Sequence, residues 1–148
     1  QGITGAGKSR SILDEFGDEL CYRSTDYKHP FDTYETQDVL IFEEYRSSLP
    51  ITDMLNYLDI YPIVLPARYA QKQACFTKVF ICTNLPLEQQ YPEIQKTSPE
   101  SWKAFLRRIH KVKEYTGVGV YTEYSSVDEY FKSRNGFHPV SDEQIPFD

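Results

Sequence analysis

Near the start of the chain, Gly2-Ile3-Thr4-Gly5-Ala6-Gly7-Lys8-Ser9 has the spacing G-x-x-x-x-G-K-S. This is the pattern of a phosphate-binding loop. Its glycines let backbone N–H groups close around a phosphate, at the point where a helix begins and its dipole favours negative charge. Lys8 then brings a compact positive charge to the β- and γ-phosphates, and the Ser9 hydroxyl is a ligand for Mg²⁺. The expected nucleotide-binding positions are therefore Gly2, Thr4, Gly5, Ala6, Gly7, Lys8, Ser9 and Arg10. The same letters also occur in ordinary glycine-rich turns, so the reading needs partners downstream.

Two later stretches supply them. Val39-Leu40-Ile41-Phe42 is an unbroken apolar run that ends in Glu43-Glu44. Such a run predicts a strand buried on both faces of a parallel sheet, and acids at its carboxyl end sit beside the ligand crevice. Glu43 is expected to hold hydrated Mg²⁺ and Glu44 to polarise the water that attacks the γ-phosphate. The plain alternative is a solvated strand end. Lys78-Val79-Phe80-Ile81-Cys82 predicts a second buried strand, ending in Thr83-Asn84. There Asn84 is expected to sense the γ-phosphate and orient the lytic water; otherwise it opens a turn before Pro86.

Positive charge falls in two groups, Arg68, Lys72 and Lys78, and Lys103, Arg107, Arg108, Lys111 and Lys113. Residues 63–77 read as two short strands around a polar tip with Arg68, Tyr69, Gln71 and Lys72. A tip of cations and an aromatic grips single-stranded nucleic acid through phosphate contact and base stacking; a solvated hairpin reads equally well. Arg107 and Arg108 fall largely outside the apolar stripe Trp102, Phe105, Leu106 and Ile109. One of them can project toward a neighbouring subunit's γ-phosphate, or both serve as surface ion-pair partners.

The elements that must position these groups follow from periodicity and caps. Residues 9–16 are expected to be a helix stopped by Gly17. A short strand is expected around 19–22. Ile51, Met54, Leu55 and Leu58 make a helical apolar face that ends before Pro62. Ser98 and Pro99 begin a helix, residues 118–124 form a strand, and Ser126 to Glu129 is a capping box for a helix to about Arg134. The expected division is a core over 1–116 and a C-terminal strand, short helix and mobile tail over 117–148. A phosphate loop needs a strand feeding into it. The chain starts on the loop without an initiator Met, so that strand is expected to lie upstream.

At 148 residues, 40% hydrophobic and 15% aromatic, the chain suits a globular domain with its own core, and no run is long enough to span a bilayer. A net charge of −6 argues against wrapping duplex DNA over a broad surface but leaves room for a local basic strip. Cys21, Cys75 and Cys82 form no C-x-x-C and read as buried apolar residues in a reducing compartment; the three histidines suggest no metal site.

With these motifs in place, the chain resembles the superfamily 3 helicase domain of rolling-circle replication initiators, the Rep proteins of plasmids, phages and small circular single-stranded DNA viruses. GITGAGKS, DVLIFEEYRSSLP, DMLNYLDIYP, LPARYAQKQACFTKVFICTN and SPESWKAFLRRI carry the resemblance over most of residues 2 to 110. L-P-A-R-Y looks closest to plasmid and phage members, which implies the cytoplasm of a bacterial host. The resemblance implies an α/β, AAA+-like three-layer P-loop sheet, lacking here the strand before the loop. It further implies a ring, expected to be a homo-hexamer, that hydrolyses ATP with Mg²⁺ while moving on single-stranded DNA. By that likeness Lys8 and Ser9 are the phosphate-loop pair, Glu43 and Glu44 the second-motif acids and Asn84 the sensor. Arg68, Tyr69 and Lys72 lie in the DNA-contacting hairpin, and Arg107 or Arg108 is the arginine finger. Glu43 departs from the Asp of many relatives. The paired H-x-H ligands of the nicking domain have no counterpart in these residues, so that domain is expected at the N-terminal end of a longer protein. A viral RNA helicase of the same superfamily and a nucleotide-regulated assembly ATPase are the alternatives.

Overall fold

A computed structural model describes residues 8–60, 62–68, 70–117 and 119–135. The expected loop residues Gly2 to Gly7, Tyr69 and the tail lie outside the described residues, as does any strand preceding the loop. Among the described residues no helix is long and apolar enough to cross a membrane.

The protein is mixed α/β, built on a small parallel sheet of order β1 (Cys21–Ser24), β2 (Val39–Phe42), β5 (Lys78–Ile81). The pleat of β2 explains why its apolar run is unbroken. Val39 and Ile41 face one side, where they pack with Cys21, Cys82 and the Ile12, Leu13 and Phe16 side chains of α1 (Lys8–Phe16). Leu40 and Phe42 face the other side and join the main core. All four are completely buried. A strand covered on both faces has no solvent side on which polar residues would be tolerated.

The main core is closed by α2 (Ile51–Leu58), α3 (Pro92–Thr97), α4 (Pro99–Arg107) and α5 (Val127–Asn135). α1 stops where expected, at Gly17 with φ +85°. In α2 the buried residues are Ile51, Met54 and Tyr57, whereas Leu55 and Leu58 are only partly buried. The expected stripe is thus rotated toward Tyr57, whose ring stacks edge-on against Phe31 at 5.0 Å. Ser98 precedes α4 as expected, but its hydroxyl bonds Ser101 Oγ rather than a free helix N–H. Ser126 does cap α5, accepting Glu129 N–H at 3.1 Å.

Between β1 and β2 the chain crosses over without a helix. Phe31 and Tyr34 are nonetheless fully buried, and the Tyr22 and Ser24 hydroxyls both bond the carbonyl of Pro30. β3 (Val64–Leu65) and β4 (Lys72–Gln73) form the expected antiparallel ribbon. β6 (Val112–Gly117) pairs antiparallel with β7 (Val120–Tyr124), so the ribbon spans residue 117. Tyr130 and Phe131 of α5 enter the main core.

β5 is less buried than its apolar letters suggest: Lys78 is exposed and Val79, Phe80 and Ile81 are half-buried. Among the described residues it pairs only with β2, and a cleft of about 620 Å³ is lined by residues of α1, β5 and β6.

Candidate functional site

The carboxyl end of the parallel sheet gathers side chains from four elements. β2 delivers Glu43: its N–H bonds Ser24 O at 3.1 Å, carrying the ladder one residue past the strand. Glu43 is buried. Oε1 accepts the Ser9 hydroxyl, Oε2 accepts Arg23 Nε at 2.5 Å, and its carbonyl accepts the Tyr27 hydroxyl at 2.6 Å. Burial and the carboxylates nearby push the Tyr27 phenol well above its ordinary range, so it stays a donor.

Glu44 follows in the left-handed region at φ 49°, a conformation that costs a non-glycine residue about 1 kcal/mol or more. The turn it makes exposes its carboxylate. Pairing then resumes, since Tyr45 N–H bonds Cys82 O at 2.8 Å. The two acids, adjacent in sequence, thus stand in different surroundings: one held by hydrogen bonds, the other facing solvent.

β5 delivers Thr83 and Asn84. The Thr83 hydroxyl bonds Tyr45 O and receives Leu85 N–H at 2.9 Å, which fixes the chain on either side of Asn84. Lys8, on the first turn of α1, reaches across to Asn84 Oδ1 at 2.6 Å and Thr83 O at 3.1 Å. Partial burial lowers the Lys8 pKa, while nearby anionic groups, among them Glu43 and Glu44, oppose that shift. The amine stands at a helix N-terminus, where the backbone dipole favours an anion.

Lys8, Ser9, Glu43 and Asn84 are therefore brought together at this end of the sheet. The site holds an ammonium, a hydroxyl, a buried carboxylate, an exposed carboxylate and an amide. Ser9 Oγ and the Glu43 carboxylate are adjacent hard oxygens, a donor set that fits Mg²⁺. Among the described residues no cluster of three or more His, Cys, Asp or Glu side chains could bind a metal ion. Phosphate oxygens and water would have to supply the remaining ligands.

Other expected site residues lie elsewhere. Arg10 is exposed on α1. Arg68 is docked on the crossover before β2: its N–H bonds Asp32 Oδ1 at 2.9 Å and its guanidinium bonds Oδ2. Lys72 is half-buried in β4. Arg107 is exposed in the last turn of α4, whereas Arg108 is tied to Asp59 at 2.6 Å and to Ala104 O at 2.8 Å. Of the cysteines, Cys21 and Cys82 are buried as expected, but Cys75 is exposed on the loop after β4.

Sequence reasoning missed Arg23 and Tyr27. Neither belongs to a motif; only the alignment of β1 beside β2, with Arg23 opposite Ile41, puts them within reach of Glu43.

An α/β protein with a lysine, a serine, acids and an amide at the carboxyl end of a parallel sheet is the class that fold and site define. The chain is similar to the replication-associated protein of canary circovirus, 27% identical over 95% of this chain and 43% of that protein. It is also similar to that of beak and feather disease virus, 28% identical over 95% of this chain and 43% of the relative. The pigeon circovirus protein is 27% identical over 74% of this chain and 32% of its own length. The chain thus spans less than half the length of these relatives, which are viral rather than plasmid or phage proteins. No protein-family profile matches it.

Proposed function

We propose that this chain is the ATP-hydrolysing motor module of a viral replication initiator, moving on single-stranded DNA. The observation that carries the reading is the meeting of Lys8 and Ser9 with Glu43 and Asn84, residues up to 76 positions apart, at one end of the sheet. Similarity to circovirus replication-associated proteins supports the initiator role.

In this reading Gly2, Thr4, Gly5, Ala6, Gly7 and Arg10 complete the nucleotide loop around Lys8 and Ser9. Lys8 exchanges Asn84 for phosphate oxygens, and Asn84, released, donates its amide to the γ-phosphate or the water attacking it. Glu44, exposed beside the crevice, accepts that water's proton. Ser9 and Glu43 hold the metal side; Mg²⁺, when bound there, supplies neutralisation of the phosphate charge. Arg68, Tyr69 and Lys72 contact the strand, and an arginine from a neighbouring copy, Arg107 in preference to the tethered Arg108, completes the site. A ring, taken to be a homo-hexamer, and a separate nicking domain belong to the same proposal, as does an AAA+-like P-loop architecture.

The experiment is Lys8→Ala. We expect it to retain the circular dichroism spectrum and melting behaviour of the parent while ATP hydrolysis falls by about 100-fold or more. Turnover at the parental rate by the folded variant would remove the proposal.

A further inference from the structure

We propose that Arg23 is a built-in cation that holds the Oε2 side of Glu43 and opposes binding of the divalent ion on the Ser9 side. The inference rests on the reading of Ser9 and Glu43 as the Mg²⁺ ligands.

The strand register brings the three groups together. Arg23 is opposite Ile41 in the parallel β1–β2 pair. Two residues on, the pleat returns Glu43 to the face that Ile41 occupies. That is the face covered by α1, which carries Ser9. The Glu43 carboxylate is thereby bracketed, Ser9 on Oε1 and Arg23 on Oε2.

The two partners differ in how far they are buried. The Glu43 side chain is 9% exposed and the Arg23 side chain 52%. A carboxylate taken that far out of water needs a compensating positive charge. The arginine that provides it is still half in water, so it can swing away at little cost in solvation. A guanidinium holds a carboxylate by donating N–H groups into its lone pairs, and a divalent cation also binds through carboxylate lone pairs. The two therefore share one carboxylate, the guanidinium on Oε2 and the divalent ion on the Ser9 side, and repel each other across it. β1 itself has little need of the pair: Cys21, Tyr22 and Ser24 are buried and hold the strand, and a half-exposed ion pair adds little stability. Arg23 thus keeps the acid neutralised while the site is empty and raises the threshold for metal binding without nucleotide.

The test is Mn²⁺ binding to the nucleotide-free 148-residue chain, followed by the loss of the free-ion paramagnetic resonance signal. Arg23→Gln is expected to tighten Mn²⁺ binding by about threefold to tenfold, the range of a charge-assisted contact at a half-exposed site. Arg23→Lys, which keeps the charge, is expected to stay within about twofold of the parent. Adding Glu43→Gln to Arg23→Gln is expected to abolish the gain. Unchanged or weaker Mn²⁺ binding by Arg23→Gln would overturn the proposal, since it would make the arginine a support for the metal geometry. If Glu43→Gln alone leaves parental Mn²⁺ binding intact, the metal assignment itself fails. That result is distinct from a failure of Arg23 to oppose the ion.

Discussion

Lys8 Nζ lies 2.6 Å from Asn84 Oδ1, across 76 residues of chain, and 3.1 Å from the carbonyl of Thr83. The amine that is expected to meet phosphate is therefore parked on the amide expected to sense it. Asn84→Asp would replace a neutral acceptor with a charged one and hold Lys8 in place. Its nucleotide affinity is expected to fall at least tenfold in a fluorescent-nucleotide titration. Asn84→Ala removes the amide and leaves Lys8 on the Thr83 carbonyl. Binding is expected within about threefold of the parent, with hydrolysis down by about 100-fold.

Much of this geometry is visible in the letters. Val39 to Phe42 and the acids that end it, the helix face of Trp102, Phe105 and Leu106, and the Ser126 cap all repeat a short-range rule. Each rule concerns burial on two faces, a 3.6-residue period or one local hydrogen bond. The remainder depends on neighbours distant in sequence. Tyr34 is buried because its ring meets Tyr22 at 5.3 Å and Phe76 at 6.0 Å, and no period announces that. β6, Val-Lys-Glu-Tyr-Thr-Gly, has only Val112 and Tyr115 buried, three residues apart, so neither helical nor alternating order stands out. Arg23 becomes part of the site only through strand register.

The Asp32–Arg68 contact gives the hairpin a pH dependence. The backbone N–H and guanidinium of Arg68 hold the Asp32 carboxyl below its ordinary range. A carboxylate with a depressed folded pKa contributes stability that is complete above the unfolded value near 3.8. That contribution is lost as pH falls through the lower folded value. The Arg68 amide resonance is therefore expected to move toward its undocked position only below about pH 4. Asp32→Asn should abolish that titration. If the hairpin grips DNA, freeing Arg68 by Asp32→Asn should also tighten single-strand binding. Arg68→Ala should lower the salt slope of that binding by about 0.7.

A buried hydroxyl network ties the end of β2 to α3. Tyr45 and Tyr91 share a hydrogen bond, and both reach Leu49 O, at 3.2 Å and 2.5 Å. Tyr45 also accepts Leu49 N–H at 3.3 Å. Tyr91→Phe leaves Tyr45 with its backbone partners and is expected to cost about 1 kcal/mol in urea unfolding. Tyr45→Phe also strands the Leu49 N–H and is expected to cost about 2 kcal/mol. Burial pushes the Tyr45 and Tyr57 phenols up to about 12. Between the unfolded value near 10 and that raised value the folded state binds more protons, so stability is expected to fall as pH rises above about 10. Tyr57→Phe should flatten part of that decline.

Phe42 and Glu43 are consecutive, and the pleat sends one into the core and the other to the site. Phe42 is fully buried and packs against Tyr45 at 5.8 Å and Tyr57 at 6.3 Å. Phe42→Ala is expected to cost about 3–5 kcal/mol, enough to unfold a marginal domain, as measured by chemical denaturation. Glu43→Gln keeps the shape and is expected to change stability by no more than about 1 kcal/mol, the worth of the half-exposed pair with Arg23. The adjacent pair thus separates a packing defect from a site defect.

Arg107 and Arg108 are the sharpest contrast on one helix. Arg108 has a forked contact with Asp59, Nε at 2.6 Å and Nη2 at 3.3 Å, and donates Nη1 to Ala104 O. That contact ties the end of α4 to the residue following α2. Arg108→Ala removes it from a half-buried place and is expected to cost about 1–2 kcal/mol, with Asp59→Ala nearly non-additive to it in a double-mutant cycle. Arg107 is exposed, so Arg107→Ala is expected to leave stability within about 0.5 kcal/mol. If Arg107 serves a neighbour's nucleotide, that same variant should lower ATP hydrolysis by about 10³-fold in the assembled protein. Mixing it with Lys8→Ala subunits should restore part of the activity, because one intact site can then form between two differently damaged copies. Absence of restoration, with assembly intact by sedimentation, would assign Arg107 to the solvent surface.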